Sequence, residues 1–132
     1  MQAGAREMQR RSILVGSFAL ISTALAAGRT ALAHHGWRWT EDGNFELTGV
    51  ITATRLGNPH GILEVDAEGE AWIVEVGQPW RNERAGLTDE MLVEGVEITA
   101  SGGRSADPSE NRMKAERVSI DGTVYELYPE RD

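Results

Sequence analysis

Three histidines are the residues of this chain best suited to chemistry: His34, His35 and His60. Imidazole is a ligand that suits copper, zinc and nickel. Ala31-Leu32-Ala33, directly before the first pair, has the small-x-small pattern that signal peptidase accepts, so cleavage after Ala33 makes His34 a new first residue. An amino-terminal histidine offers a metal its α-amine and its ring together, and neither that amine nor that chelate exists before cleavage. One further imidazole, from His60, completes a set of three nitrogens, the arrangement called a histidine brace, which favours Cu(II). His35, in second position, can substitute with its ring or act as an accessory ligand. Gly36 excludes the terminal copper motif that needs histidine in third position. The plainer reading is that His34 and His35 are a solvated terminus and that the ring of His60 only satisfies its own turn.

The elements that position these residues begin with a leader, residues 1–33. Arg6, Arg10 and Arg11 form a basic n-region, Ile13 to Ala27 an apolar h-region, and the Ala-rich cleavage site follows. The apolar run is broken by Gly16, Ser17, Ser22 and Thr23 and is short for a membrane span of ~20 residues. Arg10-Arg11-Ser12-Ile13-Leu14 resembles a twin-arginine export signal. The general secretory route is the alternative, and Met8 offers a start that brings the arginines closer to the N-terminus. Export to the periplasm, with no stable membrane insertion after cleavage, is the expectation.

Without the leader the chain carries 9 basic and 20 acidic residues, a formal net charge of −11. Such a domain repels nucleic acid and anionic lipid and attracts cations or basic partners. There is no cysteine, so disulfides and thiolate metal sites are excluded, and stability must come from a core alone. Residues 34–132 are enough for one small domain.

Residues 34–44 read as an N-terminal arm, with Trp37 and Trp39 two apart on one face of an extended segment. Phe45, Leu47, Gly49, Ile51 and Ala53 alternate with more polar residues, the period-2 pattern of a half-buried strand. Asn58-Pro59-His60-Gly61 breaks it. Ile62 to Val65 and Ala71 to Val76 predict a hairpin around Asp66-Ala67-Glu68-Gly69. Short helical pieces are expected between Gln78 and Leu92, where Thr88 precedes two acids. Val96, Ile98 and Ala100 begin a fourth strand, and Gly102-Gly103 to Asn111 reads as a polar loop. Met113 to Ile120 is a fifth strand, and Asp121-Gly122 turns the chain back through Thr123 to Leu127. Three strands, a helical connection and further strands fit an all-β fold: a small five-stranded OB-type Greek-key barrel over residues 45–132, with the helical connection between strands 3 and 4.

From His34 onward the chain resembles a family of small exported bacterial proteins of unknown function. The resemblance rests on His34-His35, Leu47-Thr48-Gly49-Val50-Ile51 and Asn58-Pro59-His60, and then on Gly77-x-Pro79, Arg84-x-Gly86-Leu87-Thr88, Leu92-x-x-Gly95 and Asn111-Arg112. Gly36-Trp37 stands where a Ser-Phe pair is common, and the acidic loop from Asp107 to Glu110 is a second departure. The resemblance implies export and the fold, and carries no established activity.

Trp37, Trp39 and Trp80, together with Asn58, are candidates for a ligand- or partner-binding face, whereas Trp72 reads as core. Asp107, Glu110 and Glu116 lack EF-hand spacing and read as a solvated acidic loop. No Ser/His/Asp order, phosphate-cradling loop or paired-carboxylate motif stands out, and Arg104 and Arg112 are too few for nucleic-acid binding. The sequence therefore points to a periplasmic protein that binds or carries a divalent transition metal, copper first and zinc or nickel after it, rather than to an enzyme. The alternative is a metal-free interaction module that holds another periplasmic protein or a small ligand.

Overall fold

A computed structural model describes residues 35–131, with only the backbone of His35. The expectations for the leader, for His34 and for the His35 side chain lie outside the described residues. Among the described residues six strands form: β1 (Phe45–Arg55), β2 (Ile62–Ala67), β3 (Glu70–Glu75), β4 (Glu97–Arg104), β5 (Arg112–Ile120) and β6 (Thr123–Glu126). A short helix, α1 (Pro79–Ala85), and a 3-10 turn at Asp89–Met91 connect β3 to β4.

The strand order is β3-β2-β1-β4-β5-β6, and β3 also pairs with β5, in parallel. That extra pairing closes β1 to β5 into the five-stranded Greek-key barrel of the OB type, with β6 added at the outer edge of β5. The long β1 makes closure possible by serving two neighbours. Its first half pairs with β4 from Phe45↔Gly102 to Val50↔Glu97, and its second half pairs with β2 from Val50↔Asp66 to Arg55↔Ile62. A bulge between Ile51 and Ala53 bends the strand from one partner to the other.

The alternation in β1 buries Leu47, Gly49 and Ile51 and exposes Glu46, Thr48 and Val50. Gly49 is required by a close approach, since a Cβ there would lie 2.5 Å from the Asp66 carbonyl oxygen. Leu63, Val65, Trp72, Val74, Ile98, Ala100, Met113, Ala115 and Val118 complete the core. Leu87 and Leu92, carried by the α1 connection, add to it.

Two expectations need correction. β4 runs on through Gly102 and Gly103 to Arg104, so these glycines are strand rather than loop. A side chain at Gly102 would collide with the backbone of Lys114 and Ala115, and the missing Cβ lets β4 and β5 approach at a register shift. Residues 35–44 are not an extended arm. His35–Trp37 is a 3-10 turn, closed by Thr40, whose backbone N–H and hydroxyl both donate to the Trp37 carbonyl at 3.1 and 2.7 Å. Thr40 then bridges to Ser105, and Glu41 donates to the Arg104 carbonyl, which ties the segment to the barrel.

The closing seam has an unusual composition. Pleating sends Val74 and Met113, which are register partners, into the core, and it sends their neighbours Glu75 and Lys114, also partners, to the opposite face. Both charged residues are nevertheless buried, with 6% and 1% of their surface exposed. The cover is the Trp37 turn and the C-terminal segment around Tyr128, both in contact with Lys114.

Candidate metal centre

His60 follows a cis Asn58–Pro59 peptide in the connection between β1 and β2. Its direction is fixed from the far side by Gly61, whose N–H donates to the Gly77 carbonyl at 3.1 Å and whose carbonyl accepts from Val76 at 2.8 Å. Gly77 is itself clamped by the buried Asn82 amide of α1, which accepts from its N–H at 2.9 Å and donates to its carbonyl at 3.0 Å. The imidazole is therefore held on backbone that β3 and α1 both anchor.

The ring borders a cavity of about 330 Å³ shared with Arg55, Asn58, Pro59 and Glu75. Nδ1 of His60 is buried and has no hydrogen-bond partner. Burial pushes the imidazole below its ordinary pKa, and the Lys114 charge adds to this; Glu75 opposes the shift, while Arg81 reinforces it. The ring is thus kept neutral, the state in which it can bind a metal.

Glu75 links this cavity to the seam. Its carboxylate lies 3.1 Å from the Lys114 ammonium and 3.7 Å from Arg112. Lys114 also donates to the Gly36 carbonyl at 2.9 Å, and its ammonium lies over the rings of Trp37 at 4.8 Å and Tyr128 at 5.6 Å. Burial lowers its pKa against the pull of Glu75. Around this pair the cations stack on aromatic rings: Arg131 on Trp37 at 3.8 Å, Arg81 on Tyr128 at 4.1 Å, and Arg112 on Trp39 at 3.8 Å. Trp37 meets Tyr128 edge to face, with centroids 5.1 Å apart.

The residues expected from sequence are placed as follows. His60 and Asn58 share the cavity. Trp37 and Trp39 are half-buried and each carries a stacked cation, so neither is an open aromatic platform. Trp80, on α1, is 51% exposed, with Arg81 and Arg84 near its ring at 4.7 and 5.1 Å. Glu116 does not belong to the acidic loop; it is buried on β5 and faces Arg131 at 3.9 Å. Asp107 and Glu110 accept hydrogen bonds from Ser109 and Ser105 within the loop itself. Sequence reasoning missed Glu75 and Lys114; Glu75 is a lone charge inside the apolar stretch Ile73-Val74-Glu75-Val76, whereas Lys114 lies among Arg112, Glu116 and Arg117 and carries no such signal.

Among the described residues no group of three or more His, Asp or Glu could hold a metal ion. His60 supplies one donor that fits, a neutral imidazole with an orphaned nitrogen. Lys114 and Arg81 oppose a cation there, and Glu75 offsets them in part.

Comparison with known proteins adds the following. A family described as being of unknown function, DUF6152, matches residues 20–117. No curated protein matches the chain significantly. Among solved structures, the S. pombe Stn1–Ten1 complex is 17% identical with a TM-score of 0.48, over 58% of this chain and 57% of that one. The ZRD-deleted mutant of TiaS in complex with agmatine is 16% identical with a TM-score of 0.47, over 64% of this chain and 26% of that one. The chain thus spans less than two thirds of either.

Proposed function

This chain belongs to DUF6152, and we propose that it is an exported, periplasmic protein that binds or carries copper, with zinc or nickel as the next candidates. The ligands are the α-amine and imidazole of His34 and the imidazole of His60, with His35 as accessory or substitute. A metal bound there would be held by three neutral nitrogens, a set suited to copper.

The observation that carries this reading is the buried, unpartnered Nδ1 of His60 on a cavity wall that includes Glu75. Orphaned buried nitrogens are uncommon and call for a partner. The barrel's outer face favours a cationic ligand over nucleic acid, since a surface groove there is lined by Glu46, Asp66, Glu68 and Glu97. Metal analysis of mature protein beginning at His34, against His60→Ala, tests the proposal: bound copper in the first and its loss in the second are expected. Equal, weak binding by both would reject it.

The metal-free interaction module is the second reading. It rests on Trp80, the one member of the Trp37, Trp39 and Trp80 set that is largely exposed. The other two are engaged by Arg131 and Arg112, which leaves this reading less surface to work with.

A further inference from the structure

We infer that the His60 cavity binds a small hydroxy acid, with its carboxylate on Arg55 and its hydroxyl on the unpartnered ring nitrogen of His60. The inference goes beyond the metal reading and needs no metal, although acid and metal would compete for the same nitrogen.

Strand register builds one side of this cavity. Arg55 pairs with Ile62, Ile62 with Glu75, and Glu75 with Lys114, so the four form a row across β1, β2, β3 and β5. Residues directly opposite one another project to the same side of a sheet. Glu75 and Lys114 project away from the core, where their neighbours Val74 and Met113 lie, and Arg55 and Ile62 do the same. The connection from Leu56 to His60 completes the walls, which bound about 330 Å³, near the lower end of the range for small-molecule sites.

Charge along the row is uneven. Strands about 4.8 Å apart put the Arg55 and Glu75 backbones roughly 10 Å from each other, with Ile62 between them. Glu75 is already paired, by Lys114 at 3.1 Å and by Arg112 at 3.7 Å. Among the described residues nothing pairs with the Arg55 guanidinium or the Asn58 amide. The Arg55 end of the cavity therefore carries an uncompensated positive charge, on a chain whose net charge is negative. A planar carboxylate fits that end, because it accepts two parallel hydrogen bonds from a guanidinium. A phosphate dianion fits less well, since the Glu75 carboxylate shares the wall.

His60 sets the second contact. Its Nδ1 is buried and unpartnered, and burial together with the Lys114 charge keeps the ring neutral. With its proton on Nε2, the ring accepts from a hydroxyl at Nδ1. An ammonium is a poorer partner, because the Lys114 and Arg81 charges already bear on this ring. Leu56, Pro59 and Ile62 offer apolar surface to the short carbon chain between the two polar groups.

The test uses the full chain, stripped of metal with a chelator and dialysed, with backbone 15N–1H shifts followed during titration. The probes are lactate and 3-hydroxybutyrate, with propionate and butyrate as their deoxy counterparts and inorganic phosphate as the competing anion. At least one hydroxy acid should bind and shift residues 57–62 and Glu75. It should bind about fivefold more tightly than its deoxy counterpart, as one neutral hydrogen bond allows. Arg55→Gln should weaken it by about tenfold or more, as loss of a charged partner does. His60→Phe should abolish the preference for the hydroxy acid while the carboxylate still binds. Arg55 is exposed and His60 half-buried, so both variants should fold. No shifts around the cavity with either acid, or binding indifferent to Arg55→Gln, would overturn the site. Equal affinity for each acid and its deoxy counterpart would overturn the His60 contact. Tighter binding of phosphate than of both hydroxy acids would overturn the ligand class. Because no metal is present, failure of the copper reading leaves each of these results unchanged.

Discussion

Lys114→Met tests how the closing seam is held together. Methionine matches much of the lysine's volume, so the change removes charge and donors with little loss of packing. The 3.1 Å ion pair with Glu75 and the 2.9 Å hydrogen bond to the Gly36 carbonyl disappear, and with them the charge over the Trp37 and Tyr128 rings. Breaking a buried pair from one side costs about 3–5 kcal/mol, because the remaining charge is left uncompensated. The Glu75 side chain is only 8% exposed, so water cannot take over. Arg112, at 3.7 Å and 36% exposed, remains and draws the expected cost to the lower end, about 3 kcal/mol. For a domain of this size each kcal/mol lowers Tm by about 4–8 °C, so a fall of about 12–24 °C is expected in thermal denaturation. Adding Glu75→Gln should recover part of the loss, and the double-mutant cycle should give a coupling of about 2 kcal/mol. A single variant within about 1 kcal/mol of wild type, or a cycle without coupling, would refute the reasoning, since Lys114 and Glu75 would then be independent.

Folding lowers the His60 pKa below the ordinary imidazole value of 6.5, so near and below that pH the unfolded chain binds more protons than the folded one. Stability should therefore be complete above that range and fall as pH drops through it, and His60→Gln should flatten this slope in denaturant titrations at pH 5 to 8. Gly102→Ala should destabilise by about 1–3 kcal/mol or more, because the new methyl meets β5 backbone that cannot move aside. Trp80→Ala, at an exposed position, should change stability by less than about 0.5 kcal/mol. Trp37→Ala should cost several times as much, since it strips the cover from Lys114; equal effects of the two tryptophans in parallel melts would contradict the packing described.

The barrel was readable because its strands alternate. Leu47, Gly49 and Ile51 mark one face of β1, and Asp121-Gly122 marks the last hairpin. The glycine pair at 102–103 misled for a physical reason. Adjacent glycines usually signal a turn, yet here the missing side chains are needed for two strands to meet at a bulge, a long-range fact that local sequence does not encode. The same holds for the seam. Met113, Lys114, Ala115 and Glu116 are buried in succession because β5 is covered on both faces, and nothing near them in sequence says that residues 36 and 128 supply the outer cover. His60 could be singled out from its residue type and its Pro-Gly neighbours. That Glu75 shares its cavity could not, because it depends on the register of β2 against β3, which sets Ile62 opposite Glu75. Trp37 and Trp39 read as exposed for lack of a visible partner, and their partners Arg131 and Arg112 lie far along the chain.

The most direct measurement of the central claim is a calorimetric titration with Cu(II) of mature protein whose first residue is His34, beside the same protein with one glycine added before it. The added residue keeps all three imidazoles and moves the amine away. The α-amine has a reference pKa of about 7.7–8.0, and the metal must displace its proton, so affinity of the authentic terminus should also fall steeply below that pH. The account predicts that the added glycine weakens binding as much as His60→Ala does. Indistinguishable affinities for the two proteins would contradict it, because binding would then not involve the terminal amine.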